Sequence, residues 1–167
     1  MRIYARRIAM SATSDSGTPG EMLFYHLEQQ PLDRILPTLV ERTVERGWRA
    51  VVQSGSPERL EAIDTLLWTF REDSFIPHGT AKDGPPAEQP VFLTTTEENP
   101  NAAAVRFLVD GAMLESYTGY LRVVLIFDGH DSAALASARA QWKAAKAQGL
   151  AVAYWQQTNG GRWEKKA

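Results

Sequence analysis

Cysteine is absent from the 167 residues. That excludes disulfides, thiolate zinc sites and a thiol nucleophile, and it is compatible with a reducing, cytoplasmic setting. No apolar run approaches the ~20 residues that span a bilayer, so a membrane is not an expected partner. The glycine patterns of nucleotide sites are missing too: neither GxGxxG nor GxxxxGK[ST] occurs. His26, His78 and His130 lack the spacing of a zinc site such as HExxH, and no GxSxG elbow marks a nucleophile. Catalytic, cofactor-binding and metal-ligating residues are therefore assigned to none of these positions, and the chain is not expected to be an enzyme.

Basic charge is scarce until the end. After residue 138 lie six of the 18 basic side chains, Arg139, Lys143, Lys146, Arg162, Lys165 and Lys166, but Glu164 alone of the 20 acidic ones. A net charge of −2 thus hides a local basic pole, suited to an acidic peptide or a phosphate backbone. With 44% hydrophobic and 23% charged residues, the chain has the composition of one globular domain large enough to fold without metal or disulfide.

Residues 1–21 hold Arg2, Arg6 and Arg7 and several Ser, Gly and Pro without periodicity, and read as a disordered extension, with Met22 opening the folded part. From Met22 strand and helix patterns alternate. MLFYHL is followed by a helix with Leu32, Ile35, Leu36, Leu39, Val40 and Val44 at helical spacing, stopped by Gly47. Pro37 either kinks that helix or marks where its regular part begins. WRAVVQS precedes a second helix, N-capped by Ser56 with Pro57 at its first position. Gly79 to Pro90 reads as a surface loop; VFLTT, AVRFLVDG and RVVLIFDG are further strands, with a short helix over Ala112 to Tyr120. An Ala-rich helix over Asp131 to Gln148 leads into the strand LAVAYW, and 164–167 read as a frayed basic tail. The alternation predicts a single Rossmann-like α/β domain over 22–163, with a mostly parallel central sheet and helices on both faces.

Two segments stand out chemically. In LLWTFREDSFIPHG three aromatics, Trp68, Phe70 and Phe75, stand among charged residues and Pro77, which does not suit a buried strand; rings on such a loop await a partner. In the last helix Arg139, Trp142, Lys143 and Lys146 fall at i, i+3, i+4 and i+7 and share one face. Cations there receive carboxylates and the indole offers an apolar floor; the alternative is a solvated basic helix with Trp142 in the core. The Ser54–Ser56 turn and the Asp128–Asp131 segment lie where open α/β sheets bind ligands, but an ordinary βα turn and a helix cap explain them.

The segment LLWTFREDSFIPHG, with FYHL and the final ARAQWKAAKAQGLAVAYWQQ, resembles the chi subunit of bacterial DNA polymerase III, over about Met22 to Trp163. The resemblance implies a non-catalytic accessory subunit in DNA replication. One surface would bind the psi subunit and, through it, the clamp loader; a second would bind the acidic C-terminal tail of single-stranded DNA-binding protein, so that DNA is reached indirectly. Trp68 and Phe75 match the psi-binding anchors, a surface that a repair helicase can also use. Arg139 matches the tail-binding arginine, and Trp142 stands where the family can have tyrosine. Leu135 stands where chi proteins can carry a basic residue, leaving Lys143 or Lys146 to compensate. The rival readings are a Rossmann-like nucleotide-binding domain or enzyme using Ser54–Ser56 or Asp128–Asp131, and direct DNA binding by the basic pole.

Overall fold

A computed structural model describes residues 20–73 and 75–167. Chain order is β1 (Glu21–Leu27), α1 (Leu32–Glu45), β2 (Ala50–Ser54), α2 (Pro57–Thr69), a 3-10 turn (Pro86–Glu88), β3 (Val91–Thr94), β4 (Val105–Val109), β5 (Arg122–Asp128), α3 (Ser132–Ala147), β6 (Ala151–Gln157) and β7 (Trp163–Lys165). The strands form one sheet in the order β3-β2-β4-β5-β1-β6-β7. Every neighbouring pair is parallel except β6 and β7. The expected Rossmann-like α/β class is therefore what the chain adopts. No helix among the described residues is long and apolar enough to cross a membrane.

The strands β2, β3 and β4 are buried along their whole length, and read as near-continuous apolar runs because both faces of the parallel sheet are covered. Ile35, Leu36 and Val40 of α1 and Ile63 and Leu67 of α2 pack on one face with Phe107 and Val124. Ala138 and Ala145 of α3 pack on the other with Met22, Phe24 and Leu125. Pro37 lies buried inside α1, which begins at Leu32, so it neither starts nor ends the helix. The backbone hydrogen bond it forfeits costs roughly 3 kcal/mol, offset by burial of its ring and of the apolar stripe around it. Ser56 caps α2 by accepting the Arg59 N–H, as its sequence position implies.

Three expectations are corrected. Ala112 to Tyr120 is not a helix: the chain turns at Gly111 and Gly119, both with positive φ, and buries Ala112, Leu114, Tyr117 and Tyr120 irregularly against α3 and the sheet. The 164–167 tail is not frayed. Trp163 packs edge-on against Tyr25 at 5.0 Å and anchors β7 on β6, and Lys166 N–H and the Ala167 carbonyl both bond the Tyr154 backbone. The ordered part opens before Met22, because Glu21 already pairs in β1, its N–H bonding Leu121 O and its carboxylate the Arg122 guanidinium at 2.6 Å. Residues 1–19, assigned above to a disordered extension, lie outside the described residues.

The 110–121 segment fixes α3 through Tyr117, whose hydroxyl donates to Gln141 Oε1 at 2.8 Å and whose N–H donates to Gln148 Oε1 at 2.8 Å. Burial, with Glu97 nearby, pushes the Tyr117 phenol from 10.0 up to about 12. A raised pKa means that the stability this phenol contributes is complete below pH 10 and is lost as pH climbs through its folded value. Tyr117→Phe is expected to lower stability by about 1 kcal/mol at neutral pH. It should also flatten the decline of the thermal midpoint between pH 10 and 12, read by melts across that range.

Candidate protein-binding surfaces

The aromatic segment follows α2 on the sheet face that α1 and α2 cover. Trp68 is 54% exposed and Phe75 69% exposed, the rings 5.8 Å apart. Beneath them lies buried His78, 4.6 Å from the Trp68 ring, with Nδ1 on Ile76 O at 2.6 Å and Nε2 on Asp64 Oδ1 at 3.0 Å. Ile76 is buried, and Gly79 joins the open edge of β3 through bonds to Val91 O and from Leu93 N–H. The exposed pair is thus mounted on a fixed base. Phe70 departs from the other two rings: it is half-buried against the core, with the Arg71 guanidinium 5.0 Å over it. Arg71 also holds Glu41 and Asp73, each at 3.0 Å.

On the opposite face of the sheet α3 presents Arg139, Lys143 and Lys146, all exposed. None has a carboxylate within salt-bridge distance among the described residues, although the exposed Arg71 and the half-buried Arg59 do. Trp142 is half-buried, its ring 5.2 Å from Phe24 and 6.0 Å from Tyr154, with Lys146 Nζ 5.7 Å over it. The indole therefore belongs to both core and surface, and neither of the two sequence readings describes it alone. Leu135 is half-buried against the same cluster.

Tyr154 is the neighbour that sequence reasoning missed. Its ring lies 6.0 Å from Phe24, nearly parallel, and Arg139 is close enough to draw its phenol back from the high value that burial imposes. The hydroxyl meets His26 Nδ1 at 2.8 Å, and His26 Nε2 meets Glu28 at 2.6 Å. An ionised carboxylate only accepts, so Nε2 carries a proton, and in the neutral imidazole the Tyr154 hydroxyl donates to Nδ1. Gly129 permits this packing, since a Cβ there would lie 1.9 Å from His26 Nε2. His130 closes on the same glutamate from outside, Nε2 3.4 Å from Glu28 Oε1 and 3.0 Å from its carbonyl, and both raise the His130 pKa. Two histidines that are remote in sequence thus meet on one carboxylate, while His78 serves the aromatic base.

The C-terminal ends of β1, β4 and β5 open on a cleft of about 760 Å³. Its lining includes Glu28, Asp110, Asp128 and Asp131 and neither lysine nor arginine, a poor match for a nucleotide's phosphates. Asp131 Oδ1 accepts the N–H groups of Ala133 and Ala134 as cap of α3, and Asp128 Oδ1 accepts the His130 N–H. In the Ser54–Ser56 turn, Ser54 Oγ and Ser56 Oγ bond within the turn and the first turn of α2. A Cβ on Gly55 would lie 2.2 Å from Asp110 O, so the turn is packed against β4's end.

A family model described as DNA polymerase III chi subunit, HolC, matches residues 20–153. Among curated proteins, the chain is similar to a probable DNA polymerase III subunit chi of Rickettsia prowazekii (strain Madrid E). The two are 28% identical over 102 residues, 59% of this chain and 62% of that protein. The match therefore spans less than two thirds of the relative's length.

Proposed function

Because the chain belongs to the DNA polymerase III chi subunit family, we propose that it is a non-catalytic bridge in replication, tying the clamp loader to the acidic tail of single-stranded DNA-binding protein. The observation that carries this reading is the pairing of unlike surfaces on opposite sides of one sheet. Exposed Trp68 and Phe75 stand over the α1–α2 face, and Arg139, Lys143 and Lys146 ring a half-buried indole on α3.

Each surface suits one partner chemistry. An acidic tail ending in a hydrophobic side chain can place carboxylates on the unpaired cations and its apolar end against Trp142 and the aliphatic stems. The exposed pair suits a hydrophobic groove or helix on the psi subunit, an equivalent loader-side partner or a helicase. Because the tail partner is multivalent on DNA, modest single-site affinity is amplified by local concentration.

The test is binding of a synthetic acidic peptide ending in Phe. Arg139→Ala is expected to weaken it about tenfold or more, as loss of a charge-assisted contact worth ~1.5–3 kcal/mol implies. Trp142→Phe, which keeps the packing on Phe24, is expected to weaken it less. Trp68→Ala and Phe75→Ala should leave the peptide affinity unchanged. Equal weakening by variants of both surfaces would refute the two-surface reading.

A further inference from the structure

A third surface is used by neither proposed partner. On the sheet face that carries α1, three guanidiniums converge on one side chain: Arg42 of α1, Arg46 at its C-cap and Arg122 from β5 line, with Tyr25, a cleft of about 110 Å³. All three draw down the Tyr25 phenol that burial otherwise raises. Arg122 is neutralised by Glu21 at 2.6 Å. Arg42 and Arg46 are exposed and have no carboxylate within salt-bridge distance among the described residues; Glu45 is the acidic neighbour between them in sequence. Trp48 is half-buried between two of the cations, 5.3 Å from Arg46 and 5.9 Å from Arg122.

The same sheet face continues away from α1 as a row of rings. Tyr25 of β1 is in register with Trp155 of β6, and Trp155 with Lys165 of β7. Partners in register project to one side, so these three side chains stand abreast, about 5 Å apart from strand to strand. Trp163, two residues before Lys165 in β7, projects to that side as well and meets Tyr25 edge-on at 5.0 Å. β6 passes to β7 through a tight turn, so among the described residues no helix joins these two strands. Tyr25, Trp155 and Trp163 are all only half-buried.

We propose that this face binds single-stranded nucleic acid directly, with phosphates on Arg42, Arg46 and Lys165 and bases stacked on Trp155 and Trp163. Unpaired cations beside sequence-tolerant flat rings on an open sheet face are what a single strand needs, since every base has a π-face and every nucleotide a phosphate. An acidic peptide would use the cations but leave the ring row idle, and a duplex hides its bases from the rings. The site is independent of the tail-binding reading, because its residues lie on the other side of the sheet from α3.

The experiment is fluorescence anisotropy of a labelled oligothymidylate of about 16 nucleotides, titrated at low salt with the full chain alone. Saturable binding is expected, weakening as salt rises. Arg42→Ala with Arg46→Ala should weaken it at least tenfold and reduce the log–log salt slope by about 1.4, at ~0.7 per cation on a single strand. Trp155→Ala should weaken it about fivefold or more, and Arg139→Ala should not change it. Both arginines are exposed at the end of α1, so an unchanged circular dichroism melt separates lost binding from lost folding. The proposal is overturned by absence of saturable binding at low salt. It is equally overturned by full affinity in the double arginine variant, by equal competition from duplex of the same length, or by tighter competition from a polyglutamate peptide.

Discussion

Alanine at both Trp68 and Phe75 is expected to weaken capture of the loader-side partner roughly a thousandfold, since two anchor rings at about 2 kcal/mol each amount to some 4 kcal/mol. The magnitude rests on preorganisation as much as on area. Trp68 leaves the last turn of α2, His78 packs beneath it at 4.6 Å, and Gly79 is bonded into the β3 edge, so the base under Trp68 is held before the partner arrives. His78→Ala tests that mounting: it should lower affinity severalfold with both anchors still present, through loss of the Asp64 and Ile76 contacts that hold the base. The measurement is capture from a lysate of the source cell, with the retained proteins identified and the affinity then titrated. With 54% and 69% of the two anchors in solvent, the double variant should melt within a few degrees of the parent. Retention of every wild-type partner by that variant would sink the assignment.

The exposure of Trp68 and Phe75 was legible because charged neighbours and Pro77 forbid a buried strand, and that reasoning is local. Phe70 was not separable from them, since its burial depends on a core face that only the fold creates. The cations of α3 were legible from helical spacing for the same local reason. Tyr154 beside them was not: β6 lies next to β1, and the Tyr154–His26 bond joins residues 128 apart. The parallel α/β class followed from alternation, which survives in both faces of a covered sheet. The antiparallel β7 escaped because three residues carry no period, and its anchor is the Trp163–Tyr25 contact. The row of rings across β1, β6 and β7 is likewise a product of register. Spacing along the chain places Tyr25 nowhere near Trp155.

Arg106, a charged residue within the strand AVRFLVDG, is the residue whose loss is expected to cost the fold most. It is fully buried as the second residue of β4, with no carboxylate within salt-bridge distance among the described residues. Its donors are nevertheless all taken: Nε and Nη2 reach Gln53 Oε1 at 2.9 and 2.7 Å. Nη2 also reaches the Thr96 carbonyl at 2.6 Å, and Nη1 reaches the Glu98 carbonyl at 2.8 Å and the Tyr120 hydroxyl at 3.0 Å. A guanidinium offers five N–H groups in a fixed fork, and here five bonds use them. The acceptors come from β2, from the connection between β3 and β4, and from the 110–121 segment. Arg106 therefore fastens two irregular segments over a part of the sheet that no helix among the described residues covers. Arg106→Ala would strand the buried Gln53 amide oxygen and Tyr120 hydroxyl, free the Thr96 and Glu98 carbonyls and leave a cavity, a loss of about 4 kcal/mol. For a domain of this size that corresponds to roughly 8–16 °C in the thermal midpoint. Arg106→Lys should recover little, because three donors on a flexible stem cannot span acceptors set by a planar fork. Since Tyr117 on the fastened segment holds Gln141 and Gln148 of α3, the alanine variant should also weaken the acidic peptide before the protein melts. Arg139 and Trp142 would be unaltered in that variant, which separates a loosened platform from a missing contact. An alanine variant that melts within about 1 kcal/mol of the parent would mean that the two segments hold their course without the arginine.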